Sequence, residues 1–190
     1  MKTDSIRQIF EASDESVEEI TSLTINRFDI NGDFAEVDFT ELLQFKSLER
    51  LVLKNLIIGM KEFSIIENLY NLKYLKLINC EWNIEDKLRN IELNEIVLDN
   101  TEVNPMIFSN HLNRIVMINM NMDYSGLKTD ILDLSRASIN INTIPFEVIN
   151  TLIVSEKQFI ENKEMLLNRK THLLVKDDLL DKVVEEYENY

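Results

Sequence analysis

The stretch NLKYLKLINCEWN, residues 71–83, sets apolar side chains at Leu72, Leu75, Leu77, Cys80 and Trp82 and leaves mostly polar ones between them. With Leu72 as position 1, the others stand at positions 4, 6, 9 and 11. Leu75 and Leu77 are two residues apart, the period at which side chains of an extended chain share a face, so the spacing predicts a short strand. Cys80 and Trp82 are the only cysteine and the only tryptophan in the chain. They are either a reactive thiol beside an aromatic platform or two core residues of a scaffold, and the rest of the chain decides between the two.

The same frame recurs. Upstream it fits Ile20, Leu23, Ile25, Phe28 and Ile30, then Leu48, Leu51, Leu53, Leu56 and Ile58. Downstream it fits Leu93, Ile96, Leu98, Thr101 and Val103, then Leu112, Ile115, Met117, Met120 and Met122. Copies with imperfect first positions run through Leu132, Leu134, Ala137 and Ile139 and through Ile149, Leu152, Val154 and Phe159, and a partial copy holds Leu173 and Val175. From Leu51 onward, position 4 returns after 24, 21, 19, 17, 20 and 21 residues.

A unit of this size cannot bury its apolar face by itself, whereas stacked units bury a continuous interior. The strands are therefore expected side by side in a parallel sheet, and eight of them at ~4.8 Å spacing span roughly 35 Å. A second column, at position 8, contains Asn55, Asn79, Asn100 and Asn119. Asparagine side chains bond turn backbone and neighbouring units, so this column is expected to be a structural ladder. Thr40 and Asn104-Pro105 mark helix starts, and the gap of 17 residues before Leu132 leaves little room for a helix, so the side opposite the sheet is expected to mix helix and loop.

The unit resembles that of the leucine-rich repeat family, LxxLxLxxN/CxL, over residues from about 17 to about 178, and Leu72 to Trp82 fits it including a cysteine at position 9. The resemblance is to small, irregular, intracellular members of bacterial type. It implies an α/β solenoid with a concave parallel sheet of about eight short strands, a mixed convex side and helical caps, and it implies protein recognition as the function. On this reading residues 1–190 are one domain, with an N-terminal cap at 1–19, repeats at 20–176 and a C-terminal capping helix at 177–190.

Caps are needed because a terminal repeat otherwise opens its core to water. At the front, Asp4 is expected to cap a helix carrying Ile6, Ile9 and Phe10, and Ser16 with Glu19 makes a capping box. At the back, Asp177 or Asp178 starts a helix with Leu179, Leu180, Val183, Val184 and Tyr187 on one face. Asn31-Gly32 predicts a hairpin turn that sets Arg27 opposite Glu36, with Phe34, Val37 and Phe39 in an added strand. Asp29, Asn31 and Asp33 have calcium-loop spacing, but Phe34 stands where the glycine belongs and Thr40 where the terminal glutamate belongs.

The net charge of −14 disfavours wrapping a phosphate backbone or an anionic membrane. The N-terminal 20 residues lack a signal-peptide pattern and no apolar run reaches spanning length, so a cytoplasmic protein is expected. One cysteine leaves no disulfide and no paired-cysteine metal site, and no glycine-rich phosphate loop, HExxH or GxSxG occurs. No cofactor or metal is implied. Cys80, inward beneath a strand exit, is expected to carry a raised pKa, and its would-be histidine partners His111 and His172 fall on other repeats.

Positions 3, 5 and 7 face solvent on the sheet, and they supply the candidate partner-binding residues. These are Arg50, Val52 and Lys54; Tyr74, Lys76 and Ile78; Glu95, Val97 and Asp99; and Arg114, Val116 and Ile118. Val52, Ile78, Val97, Val116 and Ile118 are expected to form an exposed apolar stripe rimmed by charge, the mark of a protein contact. The expected function is thus a monomeric protein-interaction module, an inhibitor or immunity-type protein for a basic partner, with a structural or self-associating scaffold as the competing reading.

Overall fold

Alternation of apolar residues in the repeat frame reappears as alternation of burial. The computed structural model describes residues 19–26, 39–84, 87, 91–108 and 112–177. The strands are β1 (Ser22–Asn26), β2 (Arg50–Lys54), β3 (Ile57–Ile58), β4 (Tyr74–Ile78), β5 (Glu81–Trp82), β6 (Glu95–Asp99), β7 (Leu112–Ile118), β8 (Thr129–Arg136), β9 (Ile149–Ser155) and β10 (His172–Lys176). Eight of them form a parallel sheet in the order β1-β2-β4-β6-β7-β8-β9-β10, so each strand lies beside the strand of the adjoining repeat. The fold is α/β with few helices.

Position 4 of the frame is one row of this sheet. Leu23 pairs with Leu51, Leu51 with Leu75, Leu75 with Ile96, Ile96 with Ile115, Ile115 with Leu132, Leu132 with Leu152 and Leu152 with Leu173. Leu51, Leu53, Leu75, Leu77, Ile96, Leu98, Ile115, Met117, Leu132 and Leu134 are all 0% exposed. A one-residue slip would turn that row out to water, which forfeits about 2 kcal/mol per side chain, so the row locks the register. Positions 1, 9 and 11 pack into the same cluster through Leu48, Leu72, Leu93, Leu56, Ile58, Cys80 and Trp82. β3 and β5 make a small parallel pair that sets Ile58 beside Trp82, at position 11.

What joins the strands varies with the length of each unit. Between β2 and β4 lies α1 (Met60–Ile66), which buries Phe63, Ile65 and Ile66. Between β9 and β10 lies α2 (Glu156–Leu167), opened by a reciprocal cap in which Gln158 N–H donates to Ser155 Oγ and Ser155 N–H to Gln158 Oε1. Gln158 also donates to the carbonyls of Leu134 and Ala137, tying α2 to the exit of β8. Short 3-10 turns replace helices at Phe39–Gln44, Pro105–Ile107, Ile141–Thr143 and Phe146–Val148. The start expected at Asn104-Pro105 is present, with Asn104 Oδ1 accepting from Met106 N–H.

One irregularity departs from the frame. β7 and β8 shift register between Val116, opposite Asp133, and Ile118, opposite Arg136, so β8 carries an extra residue and Ser135 does not fill the expected position 7. The N-terminal cap, the Asn31-Gly32 hairpin with its calcium-like spacing, His111 and the capping helix expected from Asp177 or Asp178 lie outside the described residues or beyond their last position, whereas Phe39, expected in an added strand, opens a 3-10 turn with its ring buried. No helix among the described residues is long and apolar enough to cross a membrane.

Candidate functional site

The sheet has an inner face against the core and an outer face, and the twelve candidate residues share the outer one. Register lines them up as three rows across β2, β4, β6 and β7: Arg50, Tyr74, Glu95, Arg114; Val52, Lys76, Val97, Val116; and Lys54, Ile78, Asp99, Ile118. Sequence spacing thus placed them together correctly. The exposure expected of the apolar stripe does not follow: Val52 is 7% exposed, and Val97, Val116 and Ile118 are each 5% exposed. β-branched side chains on strands so close pack against one another laterally, and Tyr74 packs on the same cluster. What remains accessible is mostly polar: Arg50 is exposed, while Lys54, Tyr74, Lys76, Ile78, Glu95, Asp99 and Arg114 are half-buried.

Three kinds of contact organise this face. At the β2 end, the Arg50 guanidinium lies 3.6 Å from the centre of the Tyr74 ring, a cation–π stack between register neighbours. At the β8 end, Asp133 is 1% exposed and takes Arg114 Nη2 at 3.0 Å and Lys176 Nζ at 2.8 Å, together with the amide and hydroxyl of Ser135. Burial by itself would raise the Asp133 pKa, but hydrogen bonds from Lys176 and Ser135 and the Lys176 charge hold it below the ordinary carboxylate value. Arg114 also comes within 3.8 Å of Glu95. In the repeat frame Arg114 is at position 3, Asp133 at position 5 and Lys176 at position 7, all outward, but the frame does not show their convergence, because Lys176 reaches past β9 to do it.

The third organiser is the asparagine column. Asn55, Asn79, Asn100 and Asn119 all adopt left-handed backbone, with φ of 57°, 49°, 45° and 53°. Asparagine tolerates this conformation better than most residues. Their side chains bond one another more than the backbone: Asn55 donates to Asn26, Asn79 to Asn55 and Asn100 to Asn79, while Asn119 donates to Asp99. The ladder ties down the edge of the face at each strand exit.

Cys80 and Trp82 stand on the other side. The Cys80 thiol is 5% exposed, with Sγ 3.4 Å from the carbonyls of Leu53 and Ile78, and burial pushes its pKa up. Trp82 packs edge-on to Phe108 at 4.9 Å and to Phe63 at 6.0 Å, and its indole N–H donates to the Ile84 carbonyl. A thiol in that setting is a core residue. His172 is exposed on β10. Among the described residues, no three His, Cys, Asp or Glu side chains gather as they would around a metal ion. No protein-family model matches the chain, and no curated protein matches it.

Proposed function

We propose that this chain is a leucine-rich-repeat solenoid that binds another protein on the outer, concave face of its sheet. The observation that carries the proposal is the contrast between the two faces. The helices put Phe63, Ile65, Ile66 and Leu166 into the inner core, while the cluster on the outer face consists of the strand residues Val97, Val116, Ile118 and Tyr74. A sheet face held rigid by a locked register, an asparagine ladder and a charged cluster, yet packed by no described helix, is suited to a preorganised contact. Tyr74, Ile78 and the charges around them supply the aromatic, apolar and charged groups favoured at such contacts. The partner is a protein that this chain inhibits or neutralises, as an immunity-type protein does.

The test is affinity capture of partners from the native cell extract with the full chain, compared between wild type, Tyr74→Ala and Ile78→Asp, with Tyr70→Ala at an exposed site elsewhere as control. Loss of one stoichiometric protein with the first two variants and not with the control is expected. Capture indifferent to both would sink the reading. If the captured protein is an enzyme or toxin, added chain is expected to suppress its activity.

A second reading, self-association, draws on a different observation. At the end of the sheet Leu174 and Val175 are 44% and 45% exposed, with Ile160 and Leu167 of α2 at 66% and 59%. Light scattering that finds a dimer abolished by Leu174→Lys would favour it over the foreign partner.

A further inference from the structure

The sign of charge on the outer face is opposite to that of the chain. The whole molecule has 34 acidic against 20 basic side chains. On the outward strand positions of the described residues, by contrast, Arg50, Lys54, Lys76, Arg114 and Lys176 face three carboxylates, Glu95, Asp99 and Asp133. All three carboxylates are engaged within the protein: Glu95 lies beside Arg114, Asp99 accepts from Asn119, and Asp133 is enclosed by Arg114 and Lys176. Among the described outward positions, positive charge dominates at the β2 end, where Arg50 is flattened on Tyr74 and Lys54 stands on the same strand roughly 13 Å away.

Resting on the reading that this face is the binding surface, we infer that it takes an acidic, extended segment of the partner protein, whose carboxylates meet Arg50 and Lys54 while an apolar side chain rests on Tyr74. A guanidinium already stacked on an aromatic ring keeps its edge N–H groups for a carboxylate, in the planar two-point geometry that Arg favours. An extended segment repeats its side chains at about 6.7 Å along one face, so residues four apart match the separation of Arg50 and Lys54. The long-range field of the chain is acidic and repels a polyanion, whereas a segment with a few carboxylates is governed by charges within a Debye length of about 8 Å. A nucleic acid, which must lie along more of the acidic surface, is thereby disfavoured.

Panning a random 12-residue peptide display library against the full chain tests this. Enrichment of Asp and Glu is expected, with synthesised winners bound by fluorescence anisotropy and weakened about tenfold or more by Arg50→Glu/Lys54→Glu, or less steeply by Arg50→Gln/Lys54→Gln. Raising salt is expected to weaken them too. Neutral or basic winners whose binding is lost in Tyr74→Ala would overturn the acidic segment and leave the face standing. Winners untouched by any of these variants would overturn both, and no enrichment would overturn the segment. Tighter binding of a labelled dT12 oligonucleotide, lost with Arg50→Glu/Lys54→Glu, would reassign the patch to phosphate.

Discussion

At the scale of single residues, the asparagine column is where local chemistry and tertiary order meet. Asn79 pairs a positive φ of 49° with two ladder bonds, donating to Asn55 and accepting from Asn100. Asn79→Ala loses both and strains the backbone, and is expected to destabilise by about 2–3 kcal/mol. Asn79→Gly loses the bonds but not the conformation, so its cost should be about 1 kcal/mol less. Urea unfolding of the two variants measures the difference, and equal costs would mean that strain contributes nothing. The column was legible because position 8 repeats Asn at Asn55, Asn79, Asn100 and Asn119. Its bonding was not, since side-chain-to-side-chain bonds depend on how closely adjacent strands lie. Cys80 yielded to the same logic: its frame position turned it inward, and the structure adds the two carbonyls that surround it.

At the scale of elements, Asp133 fastens β8 to β7 and β10 and shapes the bulge. Its carboxylate takes the Ser135 amide just where the register shifts, and Arg114 and Lys176 close over it from either side. Because its pKa is depressed on folding, its ionised form stabilises the native state above the unfolded value of about 4, and that contribution disappears as pH falls below it. Wild type is thus expected to lose stability on acidification from pH 5 to pH 3 more steeply than Asp133→Asn. The variant should also be weaker at pH 7 by about 1–3 kcal/mol, because it leaves two cations facing a neutral amide. Thermal melts across that range check both, and parallel pH profiles would contradict the depressed pKa. The frame had assigned Asp133 to an outward position, which the structure bears out, but outward proved to mean enclosed. The valines of the same face were misjudged in the same way: alternation tells which side of a strand a residue takes, and lateral neighbours decide how much water it meets.

At the scale of the whole molecule, the inner row of the sheet forms one cluster from Ile20 to Leu166 that thins towards β10. Leu77 is 0% exposed in the middle of that row, whereas Val175, paired with Val154 at its end, is 45% exposed. Leu77→Ala should therefore cost about 3 kcal/mol and Val175→Ala less than about 1 kcal/mol. Similar losses in the unfolding free energy of the two would show that the last strand is covered as fully as the middle. Outside the β7–β8 bulge, the repeat frame by itself determined which residues pair with which, because period-two alternation and a recurring unit leave one register that buries the position-4 and position-6 side chains of β2 to β9. It also determined that Cys80 and Trp82 belong to the core and that the twelve outer residues lie side by side. Tertiary structure alone decided what those twelve offer: contacts between side chains on strands about 4.8 Å apart closed the valines, stacked Arg50 on Tyr74 and drew Lys176 across a strand to Asp133. Such contacts depend on distances across the sheet, which a one-dimensional pattern does not contain.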